Sequence, residues 1–502
     1  MMKKRSLLVV FTVAVAAAFP ILAQKDQEGL RGRLSIEDSA PERSGPLGGY
    51  ANIVDEVSPA VVSIVTTVGA RAQQTTTLPD LFNDPMFRRF FGDPFGDPNS
   101  PQGRQREPMP APKRQGQGSG VVLTSDGYIA TNNHVIENAE KIEVTLPGDR
   151  SSYEAEVVGT DPATDLALIK IDRSDLPFVQ VGDSAQMKPG DTVLAIGNPF
   201  GLSQTVTTGI VSAIGRKSLG ITGRNGYENF IQTDASINPG NSGGALIDNK
   251  GRLIGINTAI FSRSGGNNGI GFAIPVNLAV DIMDRLLADG EVRRGFLGVT
   301  IGDVTPDLAQ GFGVEPKGAL VNEVNPDTPA AAAGMKPGDI IVNFDGNEVT
   351  DVAALRFVVA NTNPGKKVDV DVIRQGKTET LKVQLGKLPG SEVASTGRRT
   401  EGSPSAKTEF LPGVEVASLT EDARNQVNLP EGMNGVVVVS VDASSKAADA
   451  GLRSGDVVVS VNRQNVSSPA DAAKASKNAS GRVIVLRIFN QGGSRFLAVE
   501  KG

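Results

Sequence analysis

Short runs of β-branched and aliphatic residues, each ended by a turn, fill the chain from about Tyr50 to Ile274. The clearest runs are 61–65, 121–123, 142–146, 166–171, 193–196, 206–214, 245–247 and 253–256. Many short strands separated by glycine-rich turns are typical of antiparallel sandwiches and barrels. A single amphipathic helix follows, with Asn277 as its predicted N-cap and Gly290 at its end. The sequence therefore predicts an all-β first domain over residues 50–290.

An internal repeat occupies the C-terminal part of the chain. The segment that begins at Gly318 matches the segment that begins at Gly435, and the two stay in register as far as Asp339 and Asp456. We expect one unit over 291–390 and a second over 409–502, joined by a polar linker over 391–408 that is rich in Gly, Ser and Thr. Each unit, at roughly 90 to 100 residues, is long enough to hold its own core.

The composition excludes several classes of function. The chain contains no cysteine and one histidine, whereas zinc sites, thiol catalysis and disulfide frameworks need clusters of these residues. No segment resembles a nucleotide-binding loop, so we expect no cofactor and no metal. Removing Lys3, Lys4 and Arg5 with a leader would take the net charge from −6 to −9, which leaves no broad basic field for a nucleic acid.

The first residues resemble an export signal. Three basic residues precede an apolar run from Leu7 to Leu22, and Ala23 is the small residue at which a signal peptidase could cut. We predict a signal peptide over 1–23 and a flexible segment over 24–49, and therefore an exported protein. The alternative is an uncleaved anchor, since the run is only a few residues short of the ~20 that span a bilayer.

A long insertion interrupts the all-β pattern over residues 73–118. It contains five phenylalanines, namely Phe82, Phe87, Phe90, Phe91 and Phe95, followed by a tail dense in Pro, Gln and Gly. A loop of this length in a compact domain is usually functional or disordered. Either these phenylalanines form an apolar tip that reaches another molecule, or they pack on their own domain.

The only histidine directs the search for a catalytic group. His134 follows a predicted strand, and Ser242 lies downstream in the run Gly240-Asn241-Ser242-Gly243-Gly244. A serine hydroxyl attacks a carbonyl only if a base accepts its proton, and the base needs a carboxylate to orient it. Asp165 leads into an apolar strand and is the predicted carboxylate, whereas Asp161 precedes a proline and is expected in an exposed turn. The order His, Asp, Ser across an all-β domain is that of the chymotrypsin-like double barrel.

The glycines around Ser242 favour a turn whose backbone N–H groups converge on one point, where they can bind an oxyanion. The same letters satisfy Gly-x-Ser-x-Gly, the nucleophile elbow of α/β-hydrolases. That alternative requires the order Ser, Asp, His and a helix after the serine. Here the histidine precedes Ser242 and a predicted strand follows it, so the elbow is rejected.

Together these segments resemble the HtrA-type periplasmic serine proteases, specifically the Do/DegP-like members. The matching motifs are TNNHV (131–135), TDLA (164–167), GNPFG (197–201), QTDA (232–235), NPGNSGG (238–244), GIGFAIP (269–275) and RGFLGV (294–299). The resemblance implies an all-β-dominated chain, a chymotrypsin-like double β-barrel followed by two PDZ domains, which are α+β and partly open barrels. It also implies His134 as general base, Asp165 as orienting carboxylate, Ser242 as nucleophile, and the backbone of Gly240, Asn241 and Ser242 as oxyanion hole.

Two details bear on activation and specificity. Asn241 stands where digestive relatives of this fold carry an aspartate that binds the new N-terminus, so activation is expected to come from loop rearrangement instead. In a chymotrypsin-like pocket the floor residue would be Ser236, which is not acidic. We expect Ile260 and Phe261 to narrow the pocket wall and to favour small aliphatic residues at the cleavage position.

The PDZ resemblance predicts peptide capture. An extended peptide adds a strand to a sheet edge, and its carboxylate is received by N–H groups of a glycine-containing loop. Gly295, Phe296, Leu297, Gly298 and Val299 form such a loop in the first unit. In the second unit Pro412 lacks an N–H at the corresponding place, so capture and a purely structural or assembly role both remain open.

The leading hypothesis is an ATP-independent periplasmic serine endoprotease that degrades unfolded envelope proteins and has chaperone activity. A chaperone or scaffold without proteolysis, and an esterase, are the alternatives. The expected partners are unfolded polypeptides and C-terminal peptides. The family implies homo-oligomers, trimers or multiples of trimers, and peripheral membrane association is left open.

Overall fold

The computed structural model describes residues 29–37, 49–68, 114–199, 204–223, 226–238, 240–260, 268–389, 408–427, 429–430, 432–479, 481–490 and 493–501. The predicted signal peptide, residues 391–407 of the predicted linker, most of the predicted insertion loop and Phe261 lie outside these residues. In the described part of the chain no helix has the length and apolar composition needed to cross a membrane.

Part of the segment that was predicted to be flexible over 24–49 packs against the first domain. It contains the short helix α1 (Leu30–Arg33), which contacts the helix at 276–289. Leu30 is fully buried, and the segment continues as a bridge beside Val181. The N–H of Glu37 donates to the carbonyl of Val181 over 2.9 Å. The prediction is wrong for residues 29–37 because Leu30 and Ile36 supply apolar anchors within a polar stretch.

Six strands close into the first barrel in the order β1-β2-β3-β6-β5-β4. The helix α2 (Ala51–Val57) precedes the first strand, and α3 (Asn133–Ile136) follows the third. The strands are β1 (Val61–Val68), β2 (Arg114–Val122), β3 (Tyr128–Thr131), β4 (Ala139–Thr145), β5 (Ser152–Asp161) and β6 (Leu166–Ile171). Since β2 begins at Arg114 and pairs with Val68, residues 114–118 lie in a strand rather than in the insertion loop predicted over 73–118.

The second barrel also has six strands, in the order β10-β11-β12-β9-β8-β7. They are β7 (Thr192–Gly197), β8 (Thr205–Arg216), β9 (Phe230–Thr233), β10 (Ala245–Asp248), β11 (Leu253–Ile260) and β12 (Gly271–Pro275). Apolar side chains of both barrels, among them Ile64, Leu168, Ile196 and Ile256, meet in one buried cluster. The predicted double barrel is confirmed. Polar side chains that are far apart in the sequence can meet in the space between the two barrels.

Helix α4 (Val276–Asp289) closes the first domain against β5, β6 and β11. It ends as predicted at Gly290, which has φ 72° and therefore adopts the left-handed conformation that glycine tolerates. Its start differs from the prediction: the N-cap is Pro275, and the side chain of Asn277 instead accepts from the N–H and hydroxyl of Ser184, both over 2.9 Å.

The first repeated unit is an antiparallel sheet with helices α5 (Pro306–Phe312), α6 (Pro329–Ala332) and α7 (Val352–Asn361). Its strands are β13 (Gly295–Phe296), β14 (Val299–Asp303), β15 (Ala319–Val324), β16 (Ile340–Phe344), β17 (Asn347–Glu348), β18 (Lys367–Arg374), β19 (Lys377–Gln384) and β20 (Gly386–Lys387). The main sheet has the order β14-β15-β16-β18-β19, and β13 pairs with β20 apart from it.

The second repeated unit has the helices α8 (Glu421–Val427), α9 (Lys446–Asp449) and α10 (Pro469–Lys477). Its strands are β21 (Thr408–Leu411), β22 (Val414–Ser418), β23 (Val436–Val441), β24 (Val457–Val461), β25 (Gln464–Asn465), β26 (Val483–Asn490) and β27 (Gly493–Glu500). All seven belong to one sheet, whose main path is β21-β22-β23-β24-β26-β27.

The repeated aspartates explain why the two units share a turn. In the first unit the carboxylate of Asp339 accepts the N–H of Lys336 over 2.7 Å, and in the second the carboxylate of Asp456 accepts the N–H of Arg453 over 2.9 Å. Each aspartate thus closes the turn before the strand that follows it, β16 or β24. The same local chemistry therefore produces the same supersecondary structure twice.

Candidate active site

His134 lies in helix α3, directly after strand β3. Its Nδ1 is 2.8 Å from Oδ2 and 3.0 Å from Oδ1 of Asp165, and its own backbone N–H donates to Oδ1 over 3.0 Å. The histidine side chain is 11% exposed. Because an ionised carboxylate only accepts hydrogen bonds, Nδ1 carries the proton and Nε2 presents a lone pair.

Asp165 is held by the backbone as well as by its side chain. It has φ 59°, an unusual conformation for a residue with a Cβ, at the turn that precedes β6. Its carbonyl accepts the N–H of Asn133 over 3.2 Å and the side-chain amide of Asn132 over 2.9 Å. These bonds join the segment just before His134 to the turn that carries Asp165, so the two side chains meet in a defined geometry.

Asp161, the alternative carboxylate, is not in the exposed turn that the sequence predicted. It is buried, accepts the hydroxyl of Thr164 over 2.5 Å and forms an ion pair with Arg294, which is also buried. The prediction of exposure is wrong because Arg294 comes from a distant part of the chain and neutralises the carboxylate. Asp161 therefore binds a residue at the junction with the first repeated unit, and Asp165 is the carboxylate beside the imidazole.

Thr258, a residue that the sequence-based search missed, completes the surroundings of Asp165. Its hydroxyl donates to Oδ2 of Asp165 over 2.6 Å, and both residues are buried. A charged acceptor in a buried site needs such donors to offset its lost hydration. The sequence feature that could have indicated Thr258 is the pair Asn257 and Thr258, two polar residues in the middle of the otherwise apolar strand β11.

Ser242 reaches the same place from the second barrel. Its hydroxyl donates to the carbonyl of Thr258 over 3.2 Å, and its own carbonyl accepts the N–H of Ser119 over 2.8 Å. Thr258 therefore connects the serine, through its backbone, to the aspartate, through its side chain. The structure brings the three predicted residues His134, Asp165 and Ser242 to one site between the barrels.

The turn that carries Ser242 requires glycine at two positions. Gly240 has φ +98° and Gly243 has φ +82°, and a Cβ on Gly243 would lie 2.1 Å from the carbonyl oxygen of Ser119. The carbonyl of Gly240 accepts the hydroxyl of Ser119 over 2.6 Å. Within the described residues, the N–H groups of Gly240 and Ser242 donate to no acceptor, so they are the donors that an oxyanion could use.

Asn241 is placed differently from the other two predicted oxyanion-hole residues. Its N–H donates to the carbonyl of Asn238 over 2.9 Å and closes the turn, so this group is not available to an oxyanion in this conformation. Its side chain is buried against Gly197, where a Cβ would lie 2.3 Å from Oδ1 of Asn241. Within the described residues the Nδ2 of Asn241 has no hydrogen-bond partner.

Two of the three predicted specificity residues, Ser236 and Ile260, belong to the part of the chain that forms the second barrel. Ser236 is half-buried, and its carbonyl accepts the hydroxyl of Thr207 over 2.8 Å. Ile260 packs against the buried cluster that contains Ala235 and Ile237, the neighbours of Ser236. Phe261 lies outside the described residues. The two described residues of this predicted wall, Ser236 and Ile260, therefore carry no charge.

The charges of the site favour the protonated form of the His134 imidazole more than water favours that of a free histidine. Burial lowers the pKa of His134, but the charge of Asp165, the hydrogen bond to Asp165 and the charge of Glu137 together raise that pKa above its ordinary value of 6.5. The pKa of Glu137 is itself raised, first by burial and then by the charge of Asp165. The ring is thus a stronger base than a free histidine.

The predicted peptide-binding loop of the first repeated unit is partly strand: Gly295 and Phe296 form β13, and Leu297 and Gly298 connect it to β14. Leu297 is buried, and its carbonyl accepts the N–H of Ala330 over 2.9 Å. Gly298 has φ +84°, and a Cβ there would lie 2.2 Å from Cβ of Thr328. Val299 then starts β14, the outer strand of its sheet. The loop thus leads directly into an edge to which a further strand can be added.

The first repeated unit contacts the loop that leads to Asp165. The guanidinium of Arg294 lies 4.3 Å from the ring centroid of Tyr227, and that of Arg356, in α7, lies 5.7 Å from the same ring. The N–H of Tyr227 donates to the carbonyl of Ala163 over 2.8 Å. The ion pair of Arg294 with Asp161 ends on the same loop.

Comparisons with known proteins agree with the fold. The family model of a trypsin-like peptidase domain matches residues 118–256, and models of PDZ domains match residues 295–385 and 437–488. The chain is thus a trypsin-like serine peptidase with two PDZ domains.

Relatives that match most of the chain define the family. A probable periplasmic serine endoprotease, DegP-like, of Pseudomonas putida is 42% identical over 458 residues, which is 90% of this chain and 92% of the relative. One of Chlamydia muridarum is 39% identical over 489 residues, 95% of this chain and 92% of the relative. Among solved structures, the HtrA-type protease AlgW with tripeptide has a TM-score of 0.54 and 42% identity, and covers 68% of this chain and 98% of its own. The chain belongs to the HtrA-type, DegP-like family of serine endoproteases.

Proposed function

We propose that the chain cleaves peptide bonds with Ser242 as nucleophile, His134 as general base and Asp165 as the group that orients the base. The observation that carries this proposal is the contact of His134 with Asp165, together with Thr258, whose hydroxyl donates to Asp165 and whose carbonyl accepts the hydroxyl of Ser242. These side chains come from both barrels, and a purely structural role would not need an imidazole, a carboxylate and a hydroxyl at one place.

In the proposed reaction the Ser242 oxygen attacks the carbonyl carbon of the substrate while its proton passes to Nε2 of His134. Asp165 keeps the proton on Nδ1 and stabilises the imidazolium that forms. The N–H groups of Gly240 and Ser242 receive the oxyanion. The C–N bond then breaks, the amine leaves with the proton from Nε2, and water, deprotonated by the same base, releases the acyl group from Ser242.

The uncharged pocket wall supports cleavage after small aliphatic residues. Ser236 offers no carboxylate to a lysine or arginine side chain, and Ile260 adds apolar surface to the pocket, with Phe261 proposed as a further wall residue. A library of peptides that differ at one position would test this: preferential cleavage after Val, Ile or Ala is expected, and preference for Lys or Arg would overturn it.

The proposed setting is the periplasm, to which the predicted signal peptide would export the chain. The names of its relatives, which are periplasmic serine endoproteases, support this setting. There the enzyme would degrade unfolded polypeptides without ATP, with the first PDZ unit capturing C-terminal peptides at β14. Chaperone activity and assembly into trimers or multiples of trimers are proposed with it. The solved structure of the HtrA-type protease AlgW is one with a tripeptide, which supports peptide capture.

The test compares casein turnover by the natural chain and by Ser242→Ala. Loss of the nucleophile should lower kcat by a factor on the order of 10⁶. A fluorophosphonate probe, followed by mapping of the modified residue, should label Ser242. Unchanged turnover in the variant, or labelling elsewhere, would overturn the assignment, and hydrolysis of small esters without casein cleavage would favour the esterase.

A further inference from the structure

The two PDZ units differ at the strand to which a peptide would add. In the first unit β14 is the outer strand of its sheet, and within the described residues it pairs with β15 alone. Helix α7 packs beside β14. A PDZ unit binds an extended peptide at such an edge, because the free N–H and C=O groups of the strand accept another strand.

In the second unit the corresponding strand, β22, is paired on both sides. It pairs with β23 on one side and with β21 on the other. The register against β21 joins Leu411 with Val414, Glu409 with Glu415 and Thr408 with Val416. The edge that is free in the first unit is therefore occupied by the chain itself.

Strand β21 also fills the space between β22 and helix α10. Phe410 and Leu411 are 4% and 5% exposed and belong to the same buried cluster as Ala472 and Ala475 of that helix. The hydroxyl of Ser476, near the end of α10, donates to the carbonyl of Phe410 over 2.9 Å. Apolar side chains, ladder bonds and a bond from the helix thus hold β21 in the groove.

The sequence explains why only the second of the two units covers its own sheet edge. In the first unit Gly295 and Phe296 pair with β20, away from β14, and Gly295 packs so closely that a Cβ would lie 2.4 Å from the carbonyl oxygen of Val359. In the second unit Pro412 and Gly413, which has φ +75°, join β21 to β22. Proline followed by a glycine at positive φ suits a tight turn, so the chain folds back on itself.

We propose that β21 is a built-in occupant of the second PDZ groove, which is therefore closed to peptides, so that the two PDZ units of a chain together capture one extended peptide, at β14 of the first unit. The closure of the second groove stands on the contacts above. The single capture site rests, in addition, on the proposed function of the first unit.

Hydrogen exchange of the full chain, carrying Ser242→Ala to prevent digestion, tests the proposal. The probe is a synthetic ten-residue peptide with a free carboxylate after an apolar residue. We expect about half of the amides of residues 299–303 to exchange fast and to slow when the peptide is added, because an edge strand leaves alternate N–H groups exposed. Residues 414–418 should exchange slowly with and without the peptide.

Fast amides over 414–418 that slow on addition of the peptide would overturn the closure. Slow exchange over 414–418 with no effect of the peptide on 299–303 would keep the closure and overturn capture by the first unit. Titration calorimetry counts the peptide sites of the same protein, and exchange assigns them. Within the PDZ units one site, at 299–303, is expected, and a second site at 414–418 would contradict the proposal.

A pair of variants checks that β21 is what closes the groove. Phe410→Ser with Ser476→Ala removes the buried ring and the bond from α10, and should make 414–418 exchange faster and open a second peptide site. Thr408→Ser, at an exposed position of the same strand, should leave both unchanged. Exchange over 436–461 reports whether the second unit remains folded, and a folded double variant with 414–418 still slow would overturn the role of β21.

Discussion

At the scale of single residues, we expect the charges around His134, the proposed general base, to set the pH range of activity. The base must be neutral to accept the proton of Ser242, and Asp165 and Glu137 raise the pKa of His134 above 6.5. Activity is therefore lost as the pH falls through that raised pKa. Glu137→Gln removes one of the negative charges, so the pKa of His134 should fall, and the acid limb of kcat/KM for a peptide substrate should move to lower pH.

Glu140→Gln, which removes an exposed carboxylate from strand β4, is the matched control and should leave the acid limb in place. A profile of Glu137→Gln that superimposes on that of the natural chain would show that the charge of Glu137 does not reach the imidazole.

The hydroxyl of Thr258 offers a second residue-scale prediction. Thr258→Val keeps the shape of the side chain but removes the donor to Asp165. A hydrogen bond to a charged group contributes about 1.5–3 kcal/mol, so kcat/KM should fall roughly ten- to hundredfold, with KM little changed. Thr258→Ser restores the hydroxyl and should recover most of the activity. Equal losses in both variants would indicate a packing defect instead.

At the scale of elements, the N-terminal segment should stabilise the double barrel. Leu30 is fully buried among residues of the first-domain core. Leu30→Ala should lower the free energy of unfolding by about 2–5 kcal/mol, because it leaves a cavity that the neighbours fill only in part. Guanidinium unfolding followed by circular dichroism measures this, with exposed Ser35→Ala as the control. Equal midpoints for Leu30→Ala and the natural chain would contradict the docking of α1.

At the scale of the whole molecule, the two PDZ units pack on each other through α5 and the strands β26 and β27. The rings of Phe312 and Phe496 meet edge to face, with centroids 5.5 Å apart. A double-mutant cycle of Phe312→Ala and Phe496→Ala should give a coupling of about 0.5–1.5 kcal/mol in unfolding of the full chain. Phe489 lies on β26 but in a separate cluster and is the control. Its double-mutant cycle with Phe312 should give almost no coupling free energy.

The candidate site shows which functional residues local sequence patterns predict and which they miss. His134 was found because the chain has no other histidine, and Asp165 because a carboxylate before an apolar strand suits a buried partner. The burial of Asp161 was missed because its partner, Arg294, is far away in sequence. Thr258 was missed because a threonine in a strand is ordinary until a neighbouring strand brings a carboxylate to it.

The sequence by itself determined the strands, the turns, the repeated unit and the types of residue available for chemistry, because periodicity, glycine conformation and side-chain acidity are local properties. Only the tertiary structure decided which edges are free. Phe410 to Val414 and Gly295 to Val299 stand at corresponding places in the repeat, yet one folds back onto its own sheet and the other leaves β14 open. Strand pairing joins residues through the geometry of the whole unit, and no local pattern specifies its outcome.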